Sequence, residues 1–494
     1  MSITLGRRDR PWVGTIFFGI TVLLLAVIAG LISVSGSPMF IGAYAGLFVG
    51  GVLLFSPRLL FAVTVAVGMM GAGLAEFYLG IGQANWIASG LGLALGVAAM
   101  LYAFNSKPLD PGVKRLRSTG PLTLAFLVML VVSSIVNQIS WVQFAVGLRN
   151  YLPFLGILVA LRYVLPERTL ARIPYALVGI GLLQLPFCIH QAVFVAPMRA
   201  QSASARGGAA EAIVGTFGGD PLGGGYTGEM AVFVLLASCI ALALTPQVRA
   251  FRYGFIFMPI AALACVAMAE TKIVFVLTPF VLALVFLEEI RSSPRRFFMF
   301  LGGAGAALGV LTAVYAWRFW SSGLDEVIHA FTYSFDPDFM VTSVHRGRVA
   351  ALIHWWHENV TDFDFIHILF GYGVAATLES SRVLGAGSAV KIFGYGLDAH
   401  AASKLLWDLG LFGFGLFLWI IVRTGLNAHR LLRIETMTAP HRAMLKVSRG
   451  AMFAFAAMLP YQVSVLGGAP MQVLFWIFVG YVEYWRCFAV PARS

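Results

Sequence analysis

The chain is 494 residues long, 59% of them hydrophobic and only 11% charged, with a mean hydropathy of +0.86. No water-soluble core absorbs an apolar excess of that size, so lipid must solvate part of the chain; the long, continuous apolar runs also exclude a β-barrel. The net charge of +12 is spread unevenly over the loops and reads as a topology signal, not as a nucleic-acid footprint.

Windows of about 20 apolar residues place spans near 11–34, 39–55, 59–80, 83–104, 121–138, 142–163, 173–194, 227–245, 253–269, 273–290, 297–318, 402–422, 450–466 and 470–488. The expected fold is all-α, a polytopic integral membrane protein with about 14 transmembrane helices, 12–14 in range. The first run, Pro11 to Val34, follows Arg7, Arg8 and Arg10 and is too long for a signal-peptide core, so it reads as an uncleaved span. With the N-terminus inside, all but ten of the 34 Lys and Arg side chains fall inside. The ten outside are Arg149, Arg199, Arg206, Lys272, Arg318, Arg346, Arg348, Arg382, Lys391 and Lys404. This bias predicts an even number of spans with both termini in the cytoplasm.

The chain then divides into N-terminal transmembrane helices (1–118), transmembrane helices with a first outer loop at 195–226 (119–318), a large outer loop (319–401) and C-terminal transmembrane helices (402–494). Arg149, in QFAVGLRNYLPF, and Lys272, in AMAETKIVFVLTP, sit in or at the lip of apolar runs. A charge placed there needs a partner, and a phosphate headgroup is an obvious one; pairing with nearby acids or snorkelling is the alternative. The first outer loop carries Arg199, Arg206 and the glycine-rich GTFGGDPLGGGY. With no Lys-Ser/Thr after it and no strand before it, that run is not a P-loop; it reads as a flexible loop whose backbone approaches a substrate or a helix closely. Cys188, Cys239, Cys265 and Cys487 lie in apolar runs without metal-ligand spacing and read as small buried hydrophobes.

In the large loop Val349, Leu352, Ile353, Trp356 and Val360 follow amphipathic helical spacing, as in a helix on the membrane surface or packed on the bundle. Arg346, His354 and His357 cluster on its other side and Arg348 borders the stripe. HWWHE lacks the HExxH pattern of a metalloprotease, and no metal or cofactor is expected. Two FGYG tetrapeptides, at Phe370 and Phe393, read as tight turns with interfacial aromatic anchors.

The densest chemistry lies in GYGLDAHAASKLLWDLGLFGFGLF, from Gly394 to Phe417. Asp398 is expected to cap the helix that follows. His400, Lys404, Trp407 and Asp408 share one helical face, and such groups at the water end of an apolar helix point to a protein-lined cavity.

Together these pieces resemble the O-antigen polymerase and O-antigen ligase superfamily, the Wzy/WaaL-like inner-membrane glycosyltransferases. His400, Asp408, Gly410 and Gly413 match a helix start that opens on His-Asn in that family, with Ala401 where Asn is usual. GTFGGDP resembles its Gly-Thr-Phe-Gly-x-Pro-Asn segment, AETKIVFVLTP its Ser-Arg segment with Lys272 in the basic position, and Arg346 and Arg348 before Trp355 and Trp356 its loop arginine. The resemblance covers about residues 120 to 425.

It implies a metal-independent, GT-C-like transfer of glycan from undecaprenyl pyrophosphate to a sugar hydroxyl, on the periplasmic face of the bacterial inner membrane. The large outer loop is then a periplasmic loop containing amphipathic helices. His400 or His354 would be the general base. Arg346 and Arg348 would act on the leaving pyrophosphate, with Arg149, Lys272, Arg206, Lys404, His354 and Asp408 lining the substrate site. Implied partners are the lipid-linked glycan, an acceptor glycan, the bilayer, and a chain-length regulator or other polysaccharide-assembly protein; no nucleic acid is implied. The resemblance leaves polymerase and ligase both open, about fourteen spans and a large outer loop tilt the expectation to a polymerase, and the polar residues in two outer loops argue against a transporter with repeated broken halves.

Overall fold

The computed structural model describes residues 51, 53–104, 116–202, 208–245, 252–295, isolated positions between 298 and 313, 336–340, 346–361, 363–379, 385–434 and 437–488. The expected spans at 11–34, most of 39–55 and nearly all of 297–318 lie outside the described residues, as do Arg206 and the start of the large loop.

The described chain is a helical bundle. Five helices are long and apolar enough to cross a membrane: Pro57–Leu79, Ala84–Phe104, Glu167–Gln201, Thr227–Leu244 and Ala401–Leu431. Gly120–Val136, Phe257–Ala269 and Lys272–Val285 are shorter apolar helices. On Gly120–Val136 the exposed residues Leu124, Val128, Val131 and Ile135 recur at helical spacing, the pattern of a face solvated by lipid. Ala469–Phe488 is buried almost all round, because it packs against Leu155–Tyr163, Ala401–Leu431 and Ala439–Met458 at once. The four cysteines are free and buried.

Three predicted boundaries change. The run at 142–163 is two helices, Trp141–Leu148 and Leu155–Tyr163, because Pro153 disfavours helical backbone before it and its carbonyl lies where a Cβ on Gly92 would sit, 2.3 Å away. The expected span at 450–466 belongs to a helix running Ala439–Met458. The third change is a break inside Ala401–Leu431 at Gly410, with φ 66° and ψ −168°, a region that only glycine occupies readily. Gly371 fits against the break: a Cβ there would lie 2.5 Å from Leu409 N. The carbonyls freed by the break are satisfied from outside the helix. Tyr372 N–H donates to Trp407 O at 2.7 Å, Gly373 N–H to Asp408 O at 3.1 Å, and Ser133 Oγ to Asp408 O at 2.9 Å. The first FGYG tetrapeptide is thus the plug of a broken helix, which is how non-helical backbone is tolerated at membrane depth.

The glycine-rich segment at 215–221 is wedged into the bundle and is not the flexible loop its composition suggested. Gln191 Oε1 accepts from Val214 N at 2.9 Å and Gly215 N at 2.8 Å, and Gln184 Oε1 accepts from Thr216 N at 2.8 Å. Thr216 O lies 2.2 Å from where a Cβ on Gly73 would stand. Two polar side chains from one helix replace the backbone partners a loop lacks.

At one end acids and bases pair: Arg449 donates to both Glu288 oxygens at 2.7 and 2.9 Å, Lys446 pairs with Glu289, and Arg486 binds Glu483 at 2.9 Å. This is the end to which the charge bias assigns the cytoplasm. The other end carries Arg149, Glu229, Arg348 and His400.

Candidate functional site

His400, not Asp398, caps the helix beginning at Ala401. Ser403 N–H donates to His400 Nδ1 at 3.1 Å, so that nitrogen is an acceptor; Nε2 lies 3.0 Å from Arg348 O and must carry the proton. One neutral tautomer meets both demands. Burial pushes the imidazole down to about 4, and the Arg348 charge acts the same way. Both nitrogens are engaged with backbone, and the side chain ties the helix start to the residue that bears the Arg348 guanidinium. His400→Asn keeps a capping oxygen but no base; if the chain carries out the glycan transfer expected from its sequence, this variant is expected to retain it within about tenfold. Loss of a true general base would cost about 10²–10⁴-fold; transfer assays on membranes from the two strains separate the cases.

Lys404 and Asp408 are also committed to the protein. Both are buried. Lys404 Nζ donates to Thr377 Oγ1 at 3.2 Å and lies 3.8 Å from Asp398 Oδ2. Thr377 N–H and Oγ1 both donate to Asp408 Oδ1 at 3.1 Å, and Tyr151 OH donates to Asp408 Oδ2 at 2.8 Å. The shared helical face is real, but these groups clamp the plug loop and the Tyr151 break to the broken helix.

Arg348 opens the helix Arg348–Trp356. Its Nε donates to Tyr461 O at 2.9 Å and its guanidinium carbon stacks 4.1 Å over the Tyr461 ring. On that helix the buried face is Ala350, Ala351 and Trp355, while Ile353 and Trp356, at 60% exposure, point outward. The expected apolar stripe is thus split: Leu352 and Val360 pack against the core while Ile353 and Trp356 stay exposed. Arg346 donates to Tyr395 O at 3.3 Å, away from the Arg348 contacts. It does cluster with His354 and His357 as expected: burial lowers His354 to about 4, and the charges of Arg346 and His357 push the same way. The His354 ring turns into an aromatic cluster with Trp407, 5.7 Å away between centroids, and Phe393, 6.4 Å away.

The centre of the site is Glu229, in the first turn of Thr227–Leu244 and 2% exposed. Ser464 Oγ donates to Oε1, while Oε2 is buried with no hydrogen-bond partner among the described residues. Arg348 lies within electrostatic range of this carboxylate. The preceding Gly228 leaves room for Gln462 and Tyr461, with Gln462 Nε2 3.0 Å from where a Cβ would stand. On the other flank Tyr226 is within electrostatic range of Glu229, Glu76 and Arg149. Arg149 itself stacks 4.2 Å over Trp86, and Asn85 Nδ2 donates to Glu76 at 3.0 Å. Arg149, Tyr226, Glu229 and Arg348 thus form a continuous line at one end of the bundle. Lys272 begins the helix Lys272–Val285, which packs on Thr227–Leu244 and Ala439–Met458; since its far end meets Gly450 through Val281 and Val285, Lys272 lies at the end of the bundle that carries Glu229.

Sequence reasoning singled out Arg149, Lys272 and Arg348 and missed Glu229, Tyr226 and Ser464. One signal was present: an acid in the first turn of an apolar run, TGEMAVFVLL, carries the same cost as the basic residues that were noticed. Ser464 and Tyr226 carry no such signal. The chain matches no family model and no curated protein.

Proposed function

We propose that this chain is a polysaccharide polymerase of the O-antigen or exopolysaccharide type, transferring an undecaprenyl-pyrophosphate-linked glycan to a sugar hydroxyl. In this reading it sits in a bacterial inner membrane with about 14 spans, cytoplasmic termini and a periplasmic site. One observation carries the proposal: Arg348 lies within electrostatic range of the buried Glu229 carboxylate, and Tyr226, which neighbours that carboxylate, also neighbours Arg149. Planar guanidiniums bind pyrophosphate oxygens in pairs, and fixed positive charge beside the departing phosphate stabilises the charge that develops on it. Lys272, at the same end, adds a third cation. Below Trp86 the helix Ala84–Phe104 exposes Leu93, Val97 and Leu101, an apolar track suited to a polyprenyl tail.

A transporter would also use a broken helix beside its substrate. At Gly410 the break is filled by the chain's own Gly371–Gly373 backbone, so it offers no backbone groups to a solute.

Deleting the gene in its native host should leave single-repeat glycans, and the full chain supplied in trans should restore the long ones. Full-length polymer still attached to its carrier in the deletion strain would identify a ligase acting on lipid A core. An unchanged glycan profile would remove the glycosyltransferase reading altogether and favour a transporter.

A further inference from the structure

Transfer to a hydroxyl needs a proton acceptor, and most of the titratable groups at this end of the bundle are already engaged. His400 has both nitrogens on backbone, Asp408 has both oxygens hydrogen-bonded, Asp398 faces Lys404, and Glu76 accepts from Asn85. His354 is turned into aromatic rings. Glu229 differs from the other carboxylates named here, because one oxygen is fixed and the other is buried without a donor among the described residues. A buried acceptor left open is costly unless something fills it, and a substrate hydroxyl is the kind of donor that would.

We propose that Glu229 takes the proton of the acceptor hydroxyl, with Ser464 holding the carboxylate in place. This rests on the polymerase reading. The acceptor O–H bond breaks as its proton moves to Glu229 Oε2, and the oxygen's electron pair forms the new bond to the anomeric carbon of the donor sugar. The bond from that carbon to the phosphate oxygen breaks with its pair leaving on undecaprenyl pyrophosphate, whose added negative charge faces Arg149 and Arg348. Water then removes the proton from Glu229. The groups around the carboxylate are Ser464, which donates to it, and Arg348 and Tyr226, both within electrostatic range, while Gln462 and Tyr461 pack on the preceding Gly228. Holding the base and the cations close together in one fixed site lets both halves of the displacement proceed without rearrangement.

The test uses the full chain in membranes and, as substrate, the lipid-linked repeats that the deletion strain accumulates. Glu229→Gln is near-isosteric; it should lower polymerisation by about 10²–10⁴-fold, leave binding of glycan-free undecaprenyl pyrophosphate within about twofold, and abolish the fall in rate on acidification seen with the native chain. Glu229→Asp should recover part of the rate. Ser464→Ala keeps the carboxylate but loosens it, and should shift the acid limb of the pH profile, so the proposal stays testable if Glu229→Gln does not accumulate. Native glycan lengths from Glu229→Gln, or a native rate at every pH from Ser464→Ala, would overturn the proposal while leaving the polymerase reading in place. If the deletion strain shows no glycan defect, the reading falls and the proposal with it.

Discussion

If the chain is the proposed polymerase, Arg348→Ala should leave the host with unpolymerised repeats, although the protein still reaches the membrane. Removing one positioned donor from a site where charge develops costs about 10²–10³-fold in rate, and Arg348 is the cation nearest the carboxylate line from the loop side. Arg348→Lys should not restore the loss. The wild-type side chain combines a hydrogen bond from Nε to Tyr461 O with a flat stack on the Tyr461 ring, and an ammonium on a flexible stem reproduces neither. Glycan ladders from complemented strains, normalised to membrane expression, check both variants; a ladder of native length from Arg348→Ala would remove this residue from the site.

The largest effect on folding is expected at Asp408. Its two oxygens accept from Thr377 N–H, Thr377 Oγ1 and Tyr151 OH, and Lys404 is held in the same buried network. Asp408→Ala strips the acceptor from three donors at once and removes the negative charge on which that network closes. Breaking a buried charged network from one side costs about 3–5 kcal/mol, a large part of an ordinary protein's stability. The variant should accumulate poorly or lose its sharp thermal transition in detergent, measured by size-exclusion profile and melting curve. Asp408→Asn, which keeps an acceptor for Thr377, should fall between the two. A native melting curve for Asp408→Ala would show that the plug loop does not depend on this residue.

The candidate site was legible in part, and its legible part follows a simple rule. A charge in an apolar run is expensive wherever the chain folds, so Arg149 and Lys272 could be marked without knowing any neighbour. Helical periodicity likewise put His400, Lys404 and Asp408 on one face, because spacing within a helix is a local property. What those groups do with that face is not local. Asp408 meets Tyr151 and Thr377, His400 meets the Arg348 carbonyl, and Glu229 meets Ser464, across separations of 31 to 257 residues.

The sequence by itself determined that this is an all-α chain rich in apolar helices, where most of those helices run, and which side chains are too costly to be idle. Hydrophobicity and residue spacing suffice for that, since each acts within a window of a few turns. Only the tertiary structure decided that the helix at 401–431 breaks at Gly410 and is plugged by Gly371, and that the run at 142–163 opens at Tyr151. It alone separated the polar groups closed on protein from Glu229 Oε2, which has no hydrogen-bond partner among the described residues. Hydrogen bonds saturate, so whether a buried acid is structural or available depends on which donors the fold brings within 3 Å or so of it, and no local pattern carries that information.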